Sequence, residues 1–363
     1  MPRFIIAILL CGLMPNGFAQ SDSNLILDAN LVLDANLVLD ESQLDYYLIQ
    51  AFQAKSAKQR IMLNHIGIQV QAADEGYLVT ASLEDYPAQL AGIERGDHIL
   101  TVNGAPFHPV FSFNQPADRE GEGAQFSALN AEVEVEVSRN GNTRALKLTP
   151  VYENLFDSYR TATLNSIQQF PTGNKVVGYV HLWGLSRSTS DQINIRNIIR
   201  QLSNSDGLIL DLRNSFGYLS ASLLDLIFAS QRSYFGATGS ANAHAELMPS
   251  GVRATNNYQK PIALLINSET RGGLELLAYQ LSKLDRVIIV GEPTLGKIGE
   301  YELEEHSEGM QLKYLPADNV LVDDTVFEGV GVNPEEFVSY PFEQSTRSDP
   351  QYETAVALLM GTI

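Results

Sequence analysis

Hydrophobic positions change rhythm several times along the chain. Phe4 to Met14 is a continuous apolar run behind a single Arg3. Leucines then recur in a hexad, Asn24-Leu-Ile-Leu-Asp-Ala, Asn30-Leu-Val-Leu-Asp-Ala and Asn36-Leu-Val-Leu-Asp-Glu, with Asp28, Asp34 and Asp40 in register. Leu44 to Met62 carries apolar residues at helical spacing, including Leu44, Tyr47, Leu48, Ala51, Phe52 and Ala54. From His65 to Pro150 the pattern shortens to strands at Ile66–Val70, Tyr77–Thr80, His98–Asn103, Ala131–Val137 and Thr143–Leu148. The valine–glutamate alternation of Ala131–Val137 is that of a strand with one wet face. Within this stretch Pro87–Gly92 predicts a short helix closed by glycine, and Asn103-Gly104 and Asn140-Gly141 predict hairpin turns.

Val151 to Thr172 is polar with helical character. From Lys175 apolar strands (Val176–Leu182, Gly207–Leu212, Pro261–Asn267, Val287–Gly291) alternate with helices (Ser190–Ser203, Leu219–Ala229, Leu274–Leu284). Such alternation implies an α/β fold with a parallel-type sheet covered by helices, here preceded by a mostly-β unit. The expected organisation is a signal at 1–19, a repeat and linker at 20–43, a helical lead-in at 44–64, a β domain at 65–150, a connector at 151–174, an α/β domain at 175–345 and a short segment at 346–363.

Composition narrows the function classes. The 363 residues are 44% hydrophobic and 18% charged, which fits a folded protein and excludes wholesale disorder. With 24 Lys+Arg against 43 Asp+Glu the formal charge is −19, so nucleic acid is not an expected partner. One cysteine, Cys11, excludes a disulfide framework, and the six histidines show no metal-ligand spacing, so neither metal nor cofactor is implied. Met1 to Ala19 has the charged start, apolar run and small −3 and −1 residues of a secretory signal, with cleavage expected before Gln20. The apolar run is far shorter than the ~20 residues a spanning helix needs, so no stable membrane span is expected and the protein is expected to be exported, periplasmic or secreted.

The run Pro87-Ala-Gln-Leu-Ala-Gly-Ile-Glu-Arg-Gly-Asp-His-Ile-Leu-Thr-Val-Asn-Gly104, together with Gly67-Ile68, resembles a PDZ domain. Such a domain takes an extended peptide as an added strand on a sheet edge. The resemblance places the peptide groove near Ile66, Gly67, Ile68 and Val70.

Four segments farther on resemble the carboxyl-terminal processing, or tail-specific, peptidases of serine peptidase family S41. They are Gly178–Ser186 (GYVHLWGLS), Gly207–Gly217 (GLILDLRNSFG), Val287–Lys297 (VIIVGEPTLGK) and Phe327–Glu335 (FEGVGVNPE). The resemblance implies a ClpP/crotonase-like core, polypeptide tails as ligand and a Ser/Lys pair as catalyst. Lys297 falls on the family's lysine, and backbone N–H groups near Gly217 and Gly273 fall on its oxyanion positions. A serine hydroxyl needs a base beside it, and a desolvated lysine can serve.

The nucleophile position departs from the family. Where relatives read Thr-Arg-Ser-Gly-Lys-Glu, this chain reads Thr270-Arg-Gly-Gly-Leu-Glu275, which puts Gly272 where the serine belongs. Ser268 and Thr270 are the nearby hydroxyls, displaced by four and two residues. Tyr218 also replaces the second glycine after the Leu-Arg-Asn segment. The sequence therefore predicts a catalytically impaired binder of polypeptide tails. Against it stands an active serine endopeptidase with a shifted nucleophile at Ser268 or Thr270 and Lys297 as base. Asp211 and Arg213 are expected to form a structural ion pair.

Overall fold

A computed structural model of the chain describes residues 37–114, 126–186, 188–218, 236–237, 258–306, 309–322, 325–342 and 348–363. The expected signal, the first two hexads and the helix expected at Leu219–Ala229 lie outside the described residues.

Strand β1 (Val38–Asp40) leads into helix α1 (Leu44–Gln53). A mostly-β unit follows, built from β2 (Ile68–Ala72), β3 (Tyr77–Ser82), the one-turn helix α2 (Pro87–Leu90), β4 (His98–Val102), β5 (Val133–Arg139) and β6 (Asn142–Leu148). The antiparallel order is β2-β3-β4-β5-β6, so β2 is an edge strand. Val133, Val135 and Val137 are all buried, as the alternation requires, in a core with Ile66, Val79, Ile93 and Ile99. At the turn before β4, Asp97 is fully buried and is held by the Arg139 guanidinium at 2.5 and 2.7 Å.

The second unit contains α3 (Leu155–Asn165), β7 (Gln168–Thr172), β8 (Lys175–His181), α4 (Thr189–Leu202), β9 (Gly207–Asp211), β10 (Ile262–Ile266), α5 (Gly273–Leu281), β11 (Val287–Gly291), the hairpin β12 (Glu300–His306) and β13 (Gly309–Leu315), β14 (Glu336–Phe337) and α6 (Pro350–Met360). Its central sheet runs β7-β8-β9-β10-β11-β14, parallel from β8 to β14 with β7 antiparallel at the edge. Strands β9 and β10 are buried at every position, because helices cover both faces of a parallel sheet. One apolar cluster joins α4 and α5 to one face, and α6 packs on the other through Ala355 and Leu359. The α/β fold expected from the strand–helix alternation is therefore present.

Three segments differ from their sequence reading. Helix α1 stops at Gln53 rather than continuing to Met62, since Lys55 to Arg60 offers no apolar face. The chain turns back, and the Gln50 side chain accepts from Ile61 N at 3.2 Å. The connector contains a full sheet strand, β7, whose Pro171 is tolerated because β7 lies at an edge. The third hexad is not a free linker: β1 pairs with β13, and Leu39 is buried among Tyr47, Leu48 and Leu312.

Candidate functional site

The site forms where three two-residue strands run parallel, Gly184–Leu185, Phe216–Gly217 and Arg271–Gly272. Gly217 sits opposite Gly272. A Cβ on Gly217 would lie 2.1 Å from the Leu185 carbonyl oxygen, so only glycine permits this approach. Gly272 ends the third strand and opens α5 at φ +68°, ψ −140°. This is a sharp strand-to-helix turn of the kind that presents a nucleophile. The turn is intact, and Gly272 carries no atom beyond Cα.

The lysine loop is fastened to this turn. Gly272 N donates to the Lys297 carbonyl at 2.9 Å. Glu275, in the first turn of α5 and fully buried, accepts from Gly296 N at 2.5 Å. Burial raises the Glu275 carboxyl to about 8, offset in part by hydrogen bonds from Thr294 and from the Gly296 and Lys297 backbone. Lys297 is half-buried, and its charge reaches Asp45 and Glu328.

Neither alternative hydroxyl shares this arrangement. The Thr270 Oγ1 donates to the Leu212 carbonyl at 2.8 Å and accepts from Asn267 N at 3.2 Å, and Thr270 is fully buried. It closes the turn between β10 and the site. Ser268 is a half-buried residue of the same turn, four residues before Gly272. Gly273 is the first residue of α5 and is buried.

Sequence reasoning missed the charged pair beside Gly272. The Arg271 guanidinium is 12% exposed and grips Asp45 of α1 at 2.7 and 3.2 Å. Burial pushes the Asp45 carboxyl up, but Arg271 outweighs it and holds Asp45 below the usual carboxylate range. Arg271 stood in the quoted motif, whereas nothing in the sequence marks Asp45 as its partner. A cavity of about 460 Å³ is lined by Ile68, Val70, His108, Asp45, Glu269 and Arg271, so the β2 edge shares a hollow with Glu269 and Arg271, the residues just before Gly272. A second cavity of about 440 Å³ is lined by Phe52, Lys55, Arg60, Ser186, Tyr218 and Glu300. Tyr218 is 5% exposed and packs edge-on to Phe216, so it forms a wall of this hollow where a second glycine was expected. No group of three or more metal-ligating side chains occurs among the described residues.

Residues 176–338 match the sequence profile of peptidase family S41, and residues 64–149 match that of the PDZ domain. Residues 176–338 are thus an S41 peptidase-type domain and residues 64–149 a PDZ domain. It is 26% identical over 315 residues to the carboxyl-terminal-processing protease of Synechocystis, covering 83% of this chain and 69% of that protein. It is 23% identical to the carboxy-terminal processing protease CtpA of Bacillus subtilis, covering 78% of this chain but 58% of the relative. Among solved structures, the photosystem II D1 C-terminal processing protease superposes with a TM-score of 0.51 at 20% identity, covering 91% of this chain and 83% of that one. An S41 protease structure from Bacteroides fragilis superposes with a TM-score of 0.54 at 15% identity, covering 83% and 84%. These two likenesses establish the fold.

The S41 and PDZ domains are joined by specific contacts. On the PDZ edge strand β2, Gln69 Nε2 donates to the Asn214 carbonyl at 2.7 Å and to the Tyr159 hydroxyl at 2.8 Å, while its Oε1 accepts from Asn214 Nδ2 at 3.0 Å. Asn214 lies in the loop that ends at Gly217. Glu84 of the PDZ domain accepts from Trp183 Nε1 and lies 3.4 Å from His181 Nδ1. Arg95 stacks on Tyr340 and Phe342, with its guanidinium 4.1 and 3.9 Å from the ring centres.

All four expected groove residues line the cavity: Ile68 and Val70 from the β2 edge, and Ile66 and Gly67 from the segment before it, with Ile66 1% exposed and rooted in the PDZ core. Gly67 adopts φ +76° against the Tyr86 ring, and its N–H donates to His65 Nδ1 at 3.1 Å. The neutral His65 in turn meets the Ser158 hydroxyl at 3.0 Å, and burial lowers its pKa to about 4. Asp211 and Arg213 form the expected ion pair, at 2.6 Å.

Proposed function

We propose that this S41 protein holds extended polypeptide tails in its PDZ groove and S41 cleft without cutting them. The observation that carries the reading is Gly272: an otherwise complete nucleophile turn, bonded to the Lys297 loop, offers no side-chain oxygen. Acyl transfer needs an activated nucleophile at that point. The Thr270 hydroxyl, the nearer substitute, is already given to the Leu212 carbonyl. The β2 edge supports peptide capture, since an unpaired strand edge supplies main-chain hydrogen bonds to an added strand. The signal-like residues 1–19 support export to the periplasm or beyond.

Retention of Lys297 and Glu275 favours a second reading, an endopeptidase using Ser268 or Thr270. One experiment separates the two. The full chain is incubated with an unfolded substrate protein and a serine-directed covalent probe, and bound substrate is measured by co-elution. Substrate binding with no cleavage and no labelling is expected. Probe attached to Ser268 or Thr270, with cleavage, overturns the binding-only reading.

A further inference from the structure

The triple hexad finds no use in the peptide cleft, yet its third copy occupies a defined place. Strand β1 lies antiparallel on the outer edge of β13, with Val38 opposite Lys313, Leu39 opposite Leu312 and Asp40 opposite Gln311. Tyr314 N donates to the Leu37 carbonyl at 2.9 Å. Leu39 points inward at 5% exposure, Leu37 packs partly buried against the same cluster, and Val38 points outward at 42% exposure. After the strand, Asp40 Oδ1 accepts from Ser42 N at 2.8 Å and the Asp40 carbonyl accepts from Gln43 N at 3.0 Å.

The strand residues and the turn aspartate of this place recur in all three copies, whereas the bonds of the Ser42 hydroxyl and the Gln43 side chain to Asp40 belong to the third alone. The inward positions are Leu37 and Leu39 in the third hexad; the same hexad positions in the sequence carry Leu31 and Leu33 in the second and Leu25 and Leu27 in the first. The sequence position of the outward Val38 is matched by Val32 and Ile26, and that of the turn residue Asp40 by Asp34 and Asp28. The donor two residues after each aspartate is a main-chain N–H, which Asn36 and Asn30 supply as well as Ser42 does. A strand shifted by an odd number of residues turns its buried side chains to solvent, but a shift of six keeps every side chain on its face.

We propose that the outer edge of β13 is a binding site for a Leu-x-Leu-Asp strand, and that the first two hexads of this same chain are alternative occupants of it. The occupant is a segment of the same chain because its effective concentration at the site exceeds that of any separate molecule. Six more residues in the intervening segment add little closure entropy, so neighbouring registers compete. Occupancy by the second hexad inserts six residues between this strand and α1, whose Asp45 faces the cavity at Arg271.

Positions 38 and 313 form a non-hydrogen-bonded cross-strand pair, since the flanking Leu37–Tyr314 pair carries the printed bond, and such pairs bring Cα atoms to a spacing that accepts a disulfide. Cys11, the single cysteine, is first replaced by serine. In that background V38C/K313C should form an intramolecular disulfide in most molecules and V32C/K313C in a smaller share. The out-of-register control A35C/K313C should form none. Replacing Leu37 and Leu39 with aspartate should raise the 32–313 yield at least about fivefold, as molecules redistribute from the blocked register to the next. Should that background fail to fold, deletion of Asn36–Glu41 serves instead, and position 32 should then link to 313 as efficiently as position 38 does in the full chain. A 32–313 yield no higher than the control in these backgrounds, or a disulfide that only joins two chains, overturns the proposal.

Discussion

The amide of Gly272 donates to the carbonyl of Lys297 at 2.9 Å, so main chain rather than side chain ties the expected nucleophile position to the expected base position. The bond does not depend on which side chain stands at 272. Glu275, bonded to Gly296 N, makes a second tie between the same two segments. Together they explain how the peptidase architecture is retained around a residue that cannot attack.

Gly272→Ser should restore a hydroxyl at the turn at a cost in stability. At φ +68° an L-residue is strained, and about 1–3 kcal/mol of stability should be lost. Chemical denaturation should show the loss, and mass spectrometry after a serine-directed probe should show label on residue 272 of the variant alone. An unlabelled variant would mean that Tyr218 or the lysine loop also blocks chemistry.

Asp45→Ala strips the partner from the buried Arg271 guanidinium. Asp45 is 41% exposed on its side chain, so water already screens the pair. The expected cost is about 2 kcal/mol, less than the removal of a partner from a fully buried pair. Because Asp45 is held below the usual carboxylate range, its contribution is present at neutral pH and lost as pH falls through the lowered value. The difference between wild type and variant should thus shrink in strong acid.

His65 gives a second pH dependence. Its folded pKa is lowered from 6.5 to about 4, so its contribution is complete above pH 6.5 and is lost as pH falls toward 4. The loss should reach about 3 kcal/mol at full protonation. Protonation also removes the Nδ1 acceptor for Gly67 N–H at the head of the PDZ groove. His65→Asn, which keeps an acceptor there, should flatten the urea midpoint between pH 6.5 and 4.

Glu275 behaves in the opposite sense. Its folded value is raised from 4.5 to about 8, so the protonated form belongs to the folded state. Stability from this group is fully present below pH 4.5 and declines as pH rises toward 8. Glu275→Gln should equal the wild type near pH 5 and exceed it at pH 8, measured by thermal midpoint.

The legible parts of the molecule were those with local signals. Apolar runs such as Leu208–Leu212 fixed the buried strands, and the glycine-rich segments around Gly217, Gly272 and Gly296 located the loops that converge on the site. Strand β7 was hidden because Gln168-Gln-Phe-Pro-Thr172 has no apolar alternation, and only its position at an edge makes it a strand. The hairpin β12–β13 was hidden in the same way by Glu302, Glu304 and Glu305. The Arg271–Asp45 pair joins residues 226 positions apart, and Gln69–Asn214 joins residues 145 apart. Such partners depend on how the domains dock, which no local pattern encodes.

Arg213 sets its Nη1 2.7 Å from Asp349 and bonds Gln351 at 2.9 Å, while its own carbonyl engages His181 Nε2 at 2.8 Å. The loop leading to Gly217 is thereby anchored on the first turn of α6, some 140 residues downstream in synthesis. Until Gln351 has left the ribosome this brace is missing, so the loop leading to Gly217 is among the last parts of the molecule to be fastened during synthesis.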